Sequence, residues 1–148
     1  MKYPNTLLKI ILASRSPRRR HLLELINLNF EVSPSQIDET VKEGESARQY
    51  VERLAIEKAR AATAKHNNAL IIGADTSVVL DGNILGKPED KEEARFMLGE
   101  LSGNTHEVVG GVALIASGPD TSETQVSSFT VTTRVTFGKL TGPEIEEY

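Results

Sequence analysis

The sequence predicts an α/β protein with a mixed central sheet flanked by helices. Three observations carry the prediction. Short apolar runs, "LLKIIL" and "ALIIGAD", have the length and Ile/Leu content of buried strands. Between them lie segments with helical spacing and capped starts. Near the C-terminus two long β-rich runs, "HEVVGGVALIAS" and "SSFTVTTRVTF", are joined by the turn-forming "GPDTSET" and read as an antiparallel pair.

The elements follow in order. Leu7 to Ala13 is a short β-leaning strand. Ser16 then serves as an N-cap with Pro17 at the first helical position. Leu22, Leu23, Leu25 and Ile26 give this helix an apolar face. Phe30 to Ser33 reads as a second strand, and the polar "SPSQIDETVKEGE" as a loop. Ser46 and Gln49 have capping-box form and open a long helix. Tyr50, Val51, Leu54, Ala55, Ala59 and Ala62 supply its buried stripe, and "HNN" ends it. "ALIIGAD" is the strongest buried strand, and "TSVVL" continues it. Asp81-Gly82 marks a hairpin turn before Ile84 and Leu85. Asp90 caps a third helix whose first turn holds acids suited to the helix dipole. Ala94, Met97, Leu98 and Leu101 follow at helical spacing. "TGPEIEEY" begins a last helix. There is no internal repeat, low-complexity tract or interdomain linker, so residues 1–148 read as a single domain.

Composition narrows the function classes. The 148 residues suffice for one domain with a core. With no cysteine, disulfides, thiolate metal sites and cysteine nucleophiles are excluded. His21, His66 and His106 lack zinc-like spacing, and His21 and His106 read as structural or surface residues. A net charge of −4 offers no broad attraction for nucleic acid or anionic membrane, so any anion site must be local. Aromatic content of 5% and a single basic patch count against a nucleic-acid module. No apolar run reaches membrane-spanning length, and the N-terminus lacks the long apolar core of a signal peptide. The cytoplasm is the expected address.

Against that acidic background, "ASRSPRRR" at 13–20 stands out. Arg18, Arg19 and Arg20 sit in a helix's first turn, where their charge opposes the dipole. An anion docked there removes the conflict, because helix N-termini and arginine forks both suit phosphate. Arg15 and Arg18, flanked by Ser14 and Ser16, are the candidates, while Arg20 reads as solvated. "IIGADT" ends an apolar run in a carboxylate, Asp75. A carboxylate there needs a partner. Metal binding or general-base work supplies one, and so does a turn held by backbone N–H groups. In "LGKPED", Lys87 sits on a stiff turn before Pro88 that could aim its ammonium.

Together "ILASRSPRRRHLLELI", "RLAIEKAR", "IIGADTSVVLDGNILGKPEDKEEARFMLGELSGNTHEVVGGVALI" and "VTTRVTFGKLTGPEIEEY" resemble, in order, the Maf proteins, over almost the whole chain. The resemblance implies a Maf/inosine triphosphate pyrophosphatase-like fold with two lobes around a cleft. It implies hydrolysis of a nucleoside triphosphate between the α and β phosphates, giving monophosphate and pyrophosphate. The implied cofactor is a divalent metal, magnesium or manganese, and homodimers are implied as a possible assembly. The role implied is keeping modified nucleotides out of nucleic acid.

Residue by residue, Asp75 matches the family's proton acceptor. Thr76 and Arg18 match positions linked to substrate choice, and Ser14 and Arg15 lie in the phosphate-facing loop. Glu39 matches a carboxylate that helps hold metal with Asp75. Lys58 and Lys87 match lysines that neutralise triphosphate charge. The form "SPRRR" resembles the dTTP/UTP subgroup more than the 7-methyl-GTP subgroup. Family chains normally continue past "EIEEY" with a segment resembling "DKAGAYGIQG", so the resemblance implies a C-terminally incomplete domain with exposed sheet edges and apolar surface. That departure keeps a second function open, a nucleotide-binding or cell-division regulatory protein without turnover.

Overall fold

A computed structural model describes residues 8–148. The elements run β1 (Lys9–Leu12), α1 (Pro17–Leu25), β2 (Glu31–Val32), α2 (Ala47–Thr63), β3 (Ala69–Leu80), β4 (Asn83–Leu85), α3 (Lys91–Leu101), β5 (Thr105–Ser117), β6 (Glu123–Thr136) and α4 (Gly142–Glu147). The strands form one six-stranded sheet ordered β2-β1-β3-β5-β6, with β4 also pairing β3. The mixed α/β architecture is the expected one. Of the predicted first strand, Leu7 lies outside the described residues.

"ALIIGAD" and "TSVVL" form one continuous 12-residue strand, β3. Its odd-numbered positions 69 to 77 are buried under α2, in keeping with the two-residue alternation of a strand. Asp81 and Gly82 both take positive φ, 49° and 79°, as a two-residue hairpin turn matched to strand twist requires. β5 and β6 pair antiparallel from Thr105↔Thr136 onward, with one irregularity at Ala116/Ser117.

The core lies between α2 and one face of the sheet. Val51, Leu54, Ala55, Ala59 and Ala62 are buried, as their spacing predicts, and Tyr50 is half-buried beside them. Ala55, Ala59 and Ala62 cluster with Ile71, Ala113 and Ile115, and Val51 with Val109. Each fully buried Leu, Ile or Val contributes about 1.5–3 kcal/mol. The contact is close because two glycines face the helix backbone. A β-carbon at Gly73 would overlap the Ala55 carbonyl oxygen and come within 2.8 Å of the Ala59 nitrogen. One at Gly111 would overlap the Val51 carbonyl.

The opposite sheet face is less covered. Leu70, Ile72, Val78, Val112 and Leu114 are half-buried, while Phe129 and Val131 are exposed. The apolar face expected on α1 exists but does not enter a core: Leu22, Leu25 and Ile26 are all at least 60% exposed. Helical spacing marks which residues share a face, and what lies opposite that face is a tertiary matter.

One feature of the sheet prepares the site. β5 lines β3 along one edge from Leu70 to Val79. On the other edge β1 stops at Ile72 and β4 starts at Val78. Residues 73–77 therefore have a strand on one side only, and the opening faces the loop that follows β1.

Candidate active site

Ser14 follows the end of β1, where the Ala13 N–H donates to the Ile72 carbonyl at 2.8 Å. The Ser14 side chain is buried, and its Oγ accepts from the Ser16 N–H at 3.2 Å. Ser16 caps α1 by accepting from the Arg19 N–H, and Pro17 begins the helix. This turn brings Arg19 back across the opening in the sheet. Its Nη1 donates to Ser14 Oγ at 3.1 Å and its Nη2 to Thr76 Oγ1 at 3.2 Å. Burial lowers the Arg19 pKa from its ordinary value, opposed by the negative charge of Asp75.

Asp75 is 9% exposed and points to the α2 side of β3. Lys58, on the facing turn of α2, donates from Nζ to Asp75 Oδ1 at 2.6 Å. The same Nζ lies 2.9 Å from Glu39 Oε1. That ammonium is the main reason the Glu39 carboxyl sits below its ordinary pKa, with Lys87 and Arg19 adding to it. The close seat of α2 on Gly73 places Lys58 here, since Ala59 is the next residue in the chain.

The polar loop that carries Glu39 is tied to α2 at several points. Ser35 Oγ donates to the Lys58 carbonyl at 2.8 Å, and Tyr50 Oη to the Glu39 carbonyl at 2.7 Å. Arg53 grips Glu45 with two bonds, Nε to Oε1 at 2.6 Å and Nη2 to Oε2 at 2.9 Å. It also donates to the Thr40 carbonyl at 3.0 Å. These bonds push the Glu45 carboxyl pKa down to about 2.

The loop after β1, the loop carrying Glu39, both helices and Lys87 line an open-mouthed cavity of about 740 Å³, and Ser14, Arg15, Arg19, Glu39, Lys58 and Lys87 supply its polar walls. Asp75 stands behind Lys58. Of the residues singled out from sequence, Ser14, Arg15, Glu39, Lys58 and Lys87 line the cavity. Thr76 is exposed and joins through Arg19. Arg18 is exposed and does not line the cavity; Arg19, not singled out, takes the inward place. Arg20 pairs with Glu24 at 2.9 Å on the outer side, as a solvated residue does. His106 is buried against Phe137, ring centroids 4.9 Å apart, away from the cavity.

Glu39 and Asp75 are the pair that could hold a divalent cation. Both reach one ammonium nitrogen, so one cation can meet both oxygens. Among the described residues no group of three or more His, Cys, Asp or Glu converges. Two hard carboxylate donors suit magnesium or manganese completed by water and phosphate oxygens better than a closed protein cage.

Comparison with known proteins extends the geometry. A family model described as Maf-like protein matches residues 9–148. A dTTP/UTP pyrophosphatase of Myxococcus xanthus is 47% identical over 139 residues, covering 94% of this chain and 67% of the relative. A dTTP/UTP pyrophosphatase of Halalkalibacterium halodurans is 48% identical over 139 residues, covering 94% of this chain and 70% of the relative. Among solved structures, a HAM1 protein from Coxiella burnetii aligns with a TM-score of 0.53 at 21% identity, over 85% of this chain and 72% of that one, a likeness of fold. Among the described residues no helix is long and apolar enough to cross a membrane.

Proposed function

This chain belongs to the Maf family, and on that premise we propose that it is a nucleoside triphosphate pyrophosphatase, cleaving dTTP and UTP to the monophosphate and pyrophosphate. Relatives at 47–48% identity carry that activity in their names. The observation that carries the proposal is the charge arrangement of the cavity. Arg15, Arg19, Lys58 and Lys87 face it, against Glu39 on the wall and Asp75 behind. A triphosphate brings about four negative charges, and a site for transferring phosphoryl groups works mainly by positioning and neutralising them.

Each group then has a task. Arg15, Arg19 and Lys87 hold phosphate oxygens, with Ser14 fixing the Arg19 fork. Thr76, bonded to Arg19, and exposed Arg18 are outside the cavity lining and are assigned to choice of the base and sugar. Asp75 accepts the proton of a water molecule as that water's oxygen joins phosphorus, and the α–β anhydride bond breaks to release pyrophosphate. In the free protein the Lys58 ammonium holds Asp75 Oδ1 at 2.6 Å and so aims the carboxylate. A magnesium ion held by Glu39 and Asp75 would offset charge on the phosphate oxygens.

The test is product analysis. The purified chain with magnesium is given dTTP, UTP, CTP, 7-methyl-GTP and dITP. Monophosphate with pyrophosphate, fastest from dTTP and UTP, is expected. Diphosphate with inorganic phosphate, or no product from any member of the panel, would reject the proposal.

A further inference from the structure

Resting on that reading of the site, we infer that Lys58 is the resident counter-cation of Glu39 and Asp75, and that a divalent metal reaches these carboxylates only as a complex with the triphosphate. The observation is one ammonium shared by two acids, 2.6 Å from Asp75 Oδ1 and 2.9 Å from Glu39 Oε1. The Lys58 and Asp75 side chains are 11% and 12% exposed, so water and salt screen their attraction weakly. A free dication would have to displace this ammonium, and nothing else in the site favours its arrival. Arg15, Arg19 and Lys87 line the same cavity and, with Lys58, outnumber Glu39 and Asp75, so the local field repels a further cation.

A bound triphosphate reverses each condition. Its negative charge exceeds the cation surplus around the cavity. It offers the ammonium a new anionic partner. It also supplies oxygens that a two-carboxylate site lacks, because magnesium demands about six and dehydrates reluctantly. Lys58 is held to meet both roles. Its own carbonyl accepts from Ser35 Oγ, and the neighbouring Ala59 is seated on Gly73, so the backbone here is fixed while the flexible side chain can carry the ammonium to either partner.

Manganese serves as the probe, its free-ion electron paramagnetic resonance signal reporting binding without turnover. Wild-type protein is expected to bind no manganese at sub-millimolar concentration alone, and with α,β-imido-dTTP to bind it on the protein, read as water-proton relaxation enhanced above that of the manganese–analogue complex without protein. Lys58→Met is expected to bind manganese alone at least about tenfold more tightly than wild type. That gain should vanish in Lys58→Met/Glu39→Gln. Tight manganese binding by wild type without nucleotide would overturn the inference. So would no binding with the analogue, or no gain in a Lys58→Met protein whose circular dichroism melt shows it folded. Should Lys58→Met fail to fold, the wild-type comparison decides alone. Pyrophosphate release is a separate readout. Turnover combined with tight metal binding by the free protein would sink this inference and leave the proposed function standing.

Discussion

Gly73→Ala is the sharpest perturbation the fold offers, because it acts on the site through packing alone. The added methyl overlaps the Ala55 carbonyl oxygen and stands 2.8 Å from the Ala59 nitrogen and 2.9 Å from the Ala59 β-carbon. Two of those three atoms are backbone, so no rotamer change clears them. Restoring ordinary contact at the Ala59 nitrogen, 3.4 Å, moves α2 out by about 0.6 Å, and the carbonyl overlap demands more. Overpacking of this kind costs about 1–3 kcal/mol. For a chain of this size that lowers Tm by roughly 2–4 °C per kcal/mol. The retreat also displaces Lys58, which in the free protein lies 2.6 Å from Asp75, relative to the carboxylates and the triphosphate, and misplacement approaching 1 Å costs up to about 100-fold in rate. The assay pairs a thermal melt with kcat for pyrophosphate release from dTTP, measured well below Tm. The expected result is a lower Tm and a kcat down by about 10- to 100-fold, with KM changed less. Gly99→Ala is the control. It lies within α3 with nothing within 4 Å of an added β-carbon, and should gain about 0.5–1 kcal/mol. Wild-type Tm and kcat in Gly73→Ala would refute the packing argument.

Other expectations follow from the same geometry. Arg19→Ala removes donors to Ser14 and Thr76 and a cavity charge. It should lower kcat/KM by about 10- to 100-fold, the equivalent of a lost charge-assisted hydrogen bond. Arg18→Ala, at an exposed position, should lower it less, and equal losses would contradict the placement of Arg19. The Glu45 carboxyl lies at about 2 in the folded protein against an ordinary 4.5. Its folded pKa is depressed, so its stabilising effect is present above about 4.5 and is lost as pH falls towards 2. Urea midpoints measured across that window should fall with pH in wild type and fall less steeply in Glu45→Gln. Parallel curves would remove the Glu45–Arg53 pair as a source of acid sensitivity.

Much of the architecture was readable from local signals. Ser46 with Gln49, and Asp90 with the acids that follow it, mark helix starts through bonds a few residues long. The α2 stripe and the β3 alternation report burial through period alone. Arg19 was hidden by an ambiguity of period. Leu22 lies four residues after Arg18 and Leu23 four after Arg19, so spacing cannot say which arginine faces inward. Only the sheet decides, and Leu23 is the half-buried one. Gly73 is similar. A glycine within a strand announces a bulge or a close approach, and the approaching helix lies in another part of the chain. The shared ammonium of Lys58 depends on three segments far apart in sequence. Glu39 in a polar loop and Lys58 on a helix acquire their meaning together only through the resemblance or the fold.

The most direct measurement compares wild type with Asp75→Asn in single turnovers of dTTP with magnesium, alongside nucleotide binding by both. The substitution keeps size and removes the carboxylate proposed to accept the proton. Asp75 acting as general base predicts a rate lower by about 10²- to 10⁴-fold with binding retained. A wild-type rate in Asp75→Asn would contradict the assignment of the reaction to this site.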